Sequence, residues 1–247
     1  MVIPLRDDNP TSRFPVLTVL LIAANIFIFA FVQPHSDTAL NRFDYEYAAI
    51  PCELVQGKPA SVVEINNGVC NSRLATPPAF PHKNVYLAVL VSMFLHGSWL
   101  HVLGNMLFLW IFGNNVEDRF GTFWFALFYL FAGILAATGH IIVNHNSLAP
   151  FIGASGAIAG VMGVYFVFWP AARILTILFI VPLYLPAWFV LGFWVLLQFF
   201  TDPNSGVAWV AHVTGFATGI VVALLVRPLF PPRARPMPGP AGTRYRS

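Results

Sequence analysis

The chain has 247 residues, of which 57% are hydrophobic and only 9% are charged, and its formal net charge is +3. Soluble domains carry about 25% charged residues, so this composition excludes a disordered chain and argues against an ordinary soluble globule. The length fits one domain, and we therefore expect a single compact membrane unit.

Uncharged windows define the predicted membrane spans, because a spanning helix needs about 20 mostly apolar residues. The longest window, between Arg119 and Arg173, is interrupted by the polar stretch 144–147 and therefore holds two helices. The sequence thus predicts an all-α polytopic membrane protein with a six-transmembrane-helix bundle. The fifth helix contains Pro182 and Pro186, which interrupt helical hydrogen bonds. The predicted helices are 14–33, 99–114, 122–143, 155–168, 174–200 and 207–227.

The distribution of basic residues predicts the orientation of the bundle. Six spans place both termini on one side, which holds nine Lys and Arg residues against four on the other, together the 13 of the chain. The positive-inside rule then assigns both termini to the cytoplasm. The compact length favours a bacterial plasma-membrane protein over an organellar one. The predicted regions are a cytoplasmic N-terminal segment (1–13), a membrane domain (14–227) and a disordered cytoplasmic tail rich in Pro, Arg and Gly (228–247).

Both cysteines lie in the long outer loop, residues 34–98, between the first two predicted helices. Cysteines in an oxidising compartment tend to pair, so Cys52 and Cys70 are predicted to form a disulfide. The alternative is two free thiols in a poorly packed loop.

Polar side chains inside apolar spans are functional candidates, because an unpaired polar group in hydrocarbon is costly. His101 and Asn105 lie four residues apart, so a helix presents them on one face. His96 precedes them across a Gly-Ser turn signal. Taken singly, each of the three fits an interhelical hydrogen bond better than a catalytic role.

The second candidate is the serine in the stretch Gly153-Ala154-Ser155-Gly156. The glycines expose the serine at the start of the fourth predicted helix, whose N-terminus offers free backbone N–H groups to a developing oxyanion. Helix packing is the alternative, since Gly156 and Gly160 form a GxxxG pattern that is common at membrane-helix interfaces.

The third candidate is His212 in the last predicted helix, followed by the GxxxG pair Gly215 and Gly219. We expect the two small-residue faces to dock and to bring Ser155 to His212, and a serine beside a histidine base is an activated nucleophile. A zinc site is the competing interpretation of the histidines. Because no H-E-x-x-H sequence and no nearby acidic residue accompanies them, we predict no metal.

Together, the motifs H-x4-H-x3-N, G-x-S-G and A-H-x3-G-x3-G, in this order, resemble those of the rhomboid family of intramembrane serine proteases over residues 14–227. The resemblance implies a six-helix core and hydrolysis of peptide bonds in or near transmembrane segments of membrane-protein substrates. It implies that Ser155 is the nucleophile and that His212 is its general base.

The resemblance also implies roles for the other matched positions. His101, Asn105 and the backbone N–H of Ser155 would stabilise the oxyanion. The supporting positions are His96, Gly153, Gly156, Gly215, Gly219, and Glu117 and Arg119 in a cytoplasmic cap after the second helix. The expected partners are transmembrane protein substrates and the lipid bilayer, with no cofactor, metal or nucleic acid.

One departure from the family pattern leaves a question open. In one branch a tyrosine four residues after the serine stacks on the histidine, and Ala159 occupies that position here. The residue that orients His212 is therefore not identified. A non-catalytic binding or quality-control protein on the same scaffold is one alternative function, although it would typically lack the serine or the histidine. A transporter or channel is another, but it would need a paired intramembrane charge or an inverted repeat.

Overall fold

The computed structural model describes residues 2–71, 76–178, 180–202 and 206–230 of the chain. Most of these residues are helical, and three strands form one antiparallel sheet. Residues 231–247 of the predicted tail 228–247 lie outside the described residues. The elements are β1 (Val2–Asp7), α1 (Val16–Phe27), α2 (Asp37–Tyr47), α3 (Pro51–Gln56), α4 (Val62–Asn67), α5 (Leu87–Ser92), α6 (Trp99–Phe108), α7 (Asn114–Phe120), α8 (Thr122–Val143), α9 (Ser155–Phe168), β2 (Arg173–Leu178), β3 (Val181–Pro186), α10 (Ala187–Gln198) and α11 (Trp209–Val226).

Two helices in the described part of the chain are long and apolar enough to cross a membrane, namely α8 with 22 residues and α11 with 18. The helix Val16–Val32, α9 and α10 are apolar but shorter. The bounds of α8 and α9 coincide with the third and fourth predicted spans, and α11 nearly coincides with the sixth. The count of six spanning helices stays a prediction.

α1 and α6 both continue into a π-helical turn, over Ile28–Val32 and Leu109–Gly113 respectively. The second turn joins α6 to α7 without a break, so this helical rod runs past its predicted end at residue 114 to Phe120. Gly121 follows with a φ of 80°, a backbone conformation that glycine adopts without steric cost.

The prediction of one helix over 174–200 is wrong in its first half, and the chain is therefore not purely α-helical. Residues 173–178 and 181–186 form β2 and β3, which pair antiparallel, and β1 pairs antiparallel with the other edge of β2. Only the second half, Ala187–Gln198, is helical. The N-terminal segment predicted as 1–13 thus contributes a strand to the fold.

Local residue preferences explain these two strands. Ile174 and Thr176 are fully buried on one face of β2, and β-branched side chains favour such a pleated surface. Pro182 and Pro186 lie in β3, an edge strand, where a missing backbone N–H is tolerated. An apolar window by itself does not separate a strand from a helix, which is why hydropathy predicted a helix here.

α9 lies at the centre of the bundle, and its residues 157–165 are all buried. Glycines bring α11 close to it, because a Cβ atom added at Gly215 would overlap the carbonyl oxygen of Gly156. A Cβ added at Gly219 would likewise overlap the carbonyl oxygen of Gly160. The two GxxxG faces therefore meet backbone to backbone, which sets the distance between α9 and α11.

Segment 34–98, predicted as a long outer loop, contains α2 to α5. Cys52 and Cys70 are joined by a disulfide with an S–S distance of 2.08 Å. Lys83 and Glu53 form a buried ion pair, with Nζ and Oε2 2.6 Å apart. The segment thus has covalent and ionic cross-links of its own.

Backbone hydrogen bonds tie this segment to the residues that precede α9. The N–H of Cys52 donates to the carbonyl oxygen of Ser147 at 3.0 Å, and the N–H of Phe151 donates to that of Ala49 at 3.0 Å. The outer segment therefore sits at the same end of the bundle as the first residue of α9.

Candidate active site

The first residue of α9 and the fourth residue of α11 meet at a serine–histidine contact. His212 Nε2 lies 2.8 Å from Ser155 Oγ, within hydrogen-bond distance. The close glycine-mediated approach of α9 and α11 brings the two side chains together. Because α9 begins at Ser155, the backbone N–H of this residue is among those without a partner inside the helix.

Gly153 gives the space beside Ser155 its shape. Its φ is +123°, which side-chain-bearing residues rarely adopt. A Cβ atom at this position would lie 2.9 Å from His101 Nε2 and 3.5 Å from Ser155 Oγ. The imidazole of His101 and the hydroxyl of Ser155 therefore face one small region, which glycine leaves free.

Hydrogen bonds at the start of α6 indicate the tautomer of His101. The hydroxyl of Ser98 caps the helix by accepting from the N–H of His101 at 3.1 Å. The N–H of Gly97 donates to His101 Nδ1 at 3.4 Å. A neutral imidazole that accepts at Nδ1 carries its proton on Nε2, so Nε2–H is a donor toward Gly153 and Ser155.

Asn105 lies one helical turn after His101 on the same face of α6 and is 9% exposed. Among the described residues, its side-chain nitrogen Nδ2 has no hydrogen-bond partner. A buried donor without a partner costs about 1–3 kcal/mol, which is unusual unless the donor serves another purpose.

His96 is fully buried behind His101, with ring centroids 5.0 Å apart in an edge-on arrangement. The side chain of Gln33 forms hydrogen bonds with both the backbone N–H and the backbone carbonyl oxygen of His96. Gln33 Oε1 accepts from the N–H of His96 at 2.9 Å, and Gln33 Nε2 donates to its carbonyl oxygen at 3.0 Å. His96 thus contributes packing beside the imidazole of His101.

Two side chains of α10 contact His212, and the sequence motifs identified neither of them. Gln198 Oε1 lies 2.7 Å from His212 Nδ1. The ring of Trp194 packs at a tilt of 37° against the imidazole, with centroids 5.7 Å apart. An isolated amide in an otherwise apolar span was the signal that could have drawn attention to Gln198.

Ala159 is fully buried. Tyr165, the next tyrosine along α9, follows Ser155 by ten residues, about 15 Å along the helix axis at about 1.5 Å per residue. Its hydroxyl donates to Asp7 Oδ2 at 2.6 Å, near the opposite end of α9 from Ser155. No tyrosine of α9 therefore stacks on His212, and the ring that packs against its imidazole is that of Trp194 in α10.

Glu117 and Arg119 lie away from the serine–histidine contact. The carboxylate of Glu117 accepts hydrogen bonds from the first turn of α1, including one from the N–H of Leu17 at 2.9 Å. The guanidinium of Arg119 lies 3.9 Å from the ring centroid of Phe168. Both residues join helices at the end of α9 opposite Ser155.

A cavity of about 20 Å³ adjoins Ser155, a volume that holds about one water molecule. Small side chains and the backbone of glycines form most of its walls. Within the described ranges, no three His, Cys, Asp or Glu side chains form a group that could hold a metal ion. The residues around the cavity include Met93, Gly133, Ala136, Gly153, Gly156 and Ala211.

Comparison with known proteins identifies the family. The Rhomboid domain family matches residues 83–229, more than half of the chain. Rhomboid protease GlpG of Yersinia pestis is 30% identical over 130 residues, which are 53% of this chain and 44% of that protein. Rhomboid protease GluP of Bacillus subtilis is 39% identical over 109 residues, 41% of this chain and 20% of that protein.

A plant relative is also similar. Rhomboid-like protein 11, chloroplastic, of Arabidopsis thaliana is 36% identical over 76 residues, 30% of this chain and 26% of that protein. The chain spans less than half the length of each of these relatives. The extent of the domain match nevertheless confirms the resemblance that the sequence motifs indicated, and the chain belongs to the rhomboid family.

Proposed function

We propose that this chain is an intramembrane serine endopeptidase that hydrolyses peptide bonds in or near transmembrane segments of membrane-protein substrates. The observation that carries the proposal is the 2.8 Å contact between Ser155 Oγ and His212 Nε2. A hydroxyl hydrogen-bonded to a histidine base is activated for nucleophilic attack. Two of the relatives are named rhomboid proteases, which supports the same class of activity.

In the first half of the proposed reaction, Ser155 Oγ attacks the scissile carbonyl carbon while His212 Nε2 takes the hydroxyl proton. The carbonyl oxygen becomes an oxyanion, and the donors for it are His101 Nε2–H, Asn105 Nδ2–H and the N–H of Ser155. The unpartnered Nδ2 of Asn105 supports this assignment. The C–N bond then breaks, and His212 returns the proton to the leaving amine.

In the second half, the acyl group on Ser155 is hydrolysed. His212 Nε2 takes a proton from a water molecule, whose oxygen attacks the ester carbonyl carbon. The same donors receive the second oxyanion. When the C–O bond to Ser155 breaks, the proton on His212 passes to Ser155 Oγ, and the starting state is restored.

We propose that the site opens toward the outer face of a bacterial plasma membrane and that both termini are cytoplasmic. The disulfide between Cys52 and Cys70 supports an outer location of its segment, since disulfides persist in oxidising compartments. Because that segment adjoins the Ser155 end of α9, the site would lie on the same side. In sealed cells, a Val62→Cys variant should react with a membrane-impermeant maleimide. Reaction only after lysis would contradict this orientation.

We propose further that the residue before the cleaved bond is small. The small cavity beside Ser155, with glycine and alanine in its walls, supports this preference. A transmembrane substrate with alanine at the cleaved position should be cut, and the same substrate with phenylalanine there should not. Equal cleavage of the two substrates would contradict the preference.

The proposed activity is tested by labelling the purified protein in detergent with a fluorophosphonate probe. Wild type should be labelled, and Ser155→Ala and His212→Ala should not. Ser147→Ala is a matched control, because Ser147 is a serine in the loop before α9. This variant should be labelled at the wild-type rate. If folded wild type were not labelled, the proposal would fail and a non-catalytic function would be favoured.

A further inference from the structure

α10 presents two neighbouring side chains to His212. Trp194 and Gln198 lie four residues apart, so they share one face of the helix. Trp194 contacts the imidazole ring, and Gln198 Oε1 lies 2.7 Å from Nδ1. Gln198 is only 8% exposed, so its contact with His212 is shielded from competing water.

A second hydrogen bond determines which way the amide of Gln198 points. Its Nε2 donates to the backbone carbonyl oxygen of Trp194 at 3.1 Å. A carbonyl oxygen can only accept, so this end of the amide is the NH₂ group and the oxygen faces His212.

The direction of the amide fixes the proton on His212. The amide oxygen of Gln198 can only accept, so the nitrogen that faces it, Nδ1, carries the proton. In a neutral imidazole the other nitrogen then has a free lone pair. That nitrogen is Nε2, which lies 2.8 Å from Ser155 Oγ and can accept its proton.

We propose that Gln198 is a positioning residue that holds His212 in the Nδ1–H tautomer and in the ring orientation that Ser155 requires. The inference rests on the proposed roles of Ser155 and His212. It explains how His212 is oriented although Ala159 offers no ring to stack on it. The support comes from α10 instead of α9.

A neutral amide suits this buried position. A carboxylate beside His212 would be an unpaired buried charge whenever the imidazole is neutral, and such charges are costly to desolvate. The amide oxygen accepts the same hydrogen bond without that cost. Its dipole also favours the imidazolium that forms when Ser155 loses its proton.

The test compares two substitutions that separate the hydrogen bond from the packing. Gln198→Met keeps the length of the side chain but removes the acceptor, whereas Gln198→Glu keeps an acceptor and adds a charge. Leu196→Met is the matched control, since Leu196 is 51% exposed on the same turn of α10. The rate of fluorophosphonate labelling is measured over the pH range in which histidine titrates, together with the Tm of each variant.

Gln198→Met should be labelled about 10–100-fold more slowly than wild type. A general base contributes about 10²–10⁴-fold to the rate, and a poorly oriented base should lose part of this contribution. Gln198→Glu should label readily, with the midpoint of its acidic limb at higher pH, because a carboxylate favours the imidazolium. His101 and His140 also act electrostatically on His212 and are the same in every variant. A purely structural role would lower the Tm and the labelling rate of both variants alike, and would leave the midpoint unchanged.

Labelling of Gln198→Met at the wild-type rate with the wild-type pH profile would overturn the inference, while the proposed function would stand. Absence of labelling in folded wild type would contradict both the proposed function and the inference about Gln198. If Gln198→Met did not fold, Gln198→Asn would test the inference instead. Its side chain is one methylene shorter, so its amide oxygen would lie too far from His212 Nδ1 for a hydrogen bond. Gln198→Asn should label slowly, and a wild-type rate would overturn the inference.

Discussion

The carboxylate of Glu117 accepts two hydrogen bonds from Thr18, one from its backbone N–H and one from its hydroxyl, each 2.8 Å long. The two residues are 99 positions apart in the chain. The first N–H groups of α1 have no partner within the helix, and the N-terminus of a helix favours a negative charge. Glu117, only 3% exposed, therefore caps α1 and connects it to α7.

We predict that Glu117→Gln lowers the free energy of unfolding by about 2–3 kcal/mol, because hydrogen bonds to a charged acceptor are the strong ones. Chemical denaturation in detergent measures the change. Asp118→Asn is the matched control, because Asp118 accepts from Ser12 at the surface and should change stability much less. Equal losses in the two variants would contradict the capping role.

The contact between α9 and α11 depends on Gly219, where an added Cβ would overlap the carbonyl oxygen of Gly160. We predict that Gly219→Ala separates the helices, costs about 1–3 kcal/mol of stability and lowers fluorophosphonate labelling. Gly192→Ala is the control, because its added Cβ would lie 4.0 Å from the nearest atom of Phe166. A Gly219→Ala variant as stable and reactive as wild type would show that the helices do not need this close approach.

Removal of the proposed oxyanion donor Asn105 should lower the reaction rate without lowering the stability of the protein. We predict that Asn105→Leu slows labelling about 10²–10³-fold, the usual effect of removing one donor. Its Tm should stay equal or rise, because the change removes a buried donor that lacks a partner. Leu103→Met, at a position 51% exposed on the same helix, should behave as wild type. A wild-type labelling rate in Asn105→Leu would exclude Asn105 from this role.

The disulfide between Cys52 and Cys70 should stabilise the outer segment without controlling the reaction. The two residues are 18 positions apart, and closing a loop of this size stabilises by about 3 kcal/mol in the chain-entropy model. We predict that a Cys52→Ser, Cys70→Ser double variant has a lower Tm but is still labelled at Ser155. Alkylation of wild type should require prior reduction, and alkylation of both thiols without it would contradict the pairing.

Glu64 should make the free energy of unfolding depend on pH under acidic conditions. Burial by itself would raise its pKa, but hydrogen bonds from Ser61, Gln56 and Asn71 outweigh burial and lower the pKa to about 2. A carboxyl whose pKa is lower in the folded than in the unfolded state stabilises above its unfolded pKa and loses this effect as the pH falls. We predict that Glu64→Gln is less stable than wild type at neutral pH.

The difference between wild type and Glu64→Gln should shrink as the pH falls from the ordinary glutamate pKa of 4.5 toward 2. Denaturation midpoints of the two proteins across this interval measure it. Asp37→Asn, at an exposed position in the first turn of α2, is the control variant and should differ from wild type by much less. A difference between wild type and Glu64→Gln that is independent of pH would show that Glu64 stabilises through packing alone.

Several features were readable in the amino-acid order because they depend on neighbours along the chain. Apolar windows between charged residues predicted the bounds of α8 and α9. The four-residue spacing of His101 and Asn105 predicted a shared helix face. The three motifs around His101, Ser155 and His212 indicated the rhomboid family, which the domain match confirmed.

Tertiary contacts decided the rest. Residues 173–178 and 181–186 form strands, and the strand β1, more than 160 positions earlier in the chain, pairs with β2. Gln198 is a single amide in an apolar helix, and only the approach of α10 to α11 places its oxygen against His212. Local sequence limits the conformations that each segment can adopt, whereas the choice between strand and helix, and the partner of a buried polar group, depend on what packs against them.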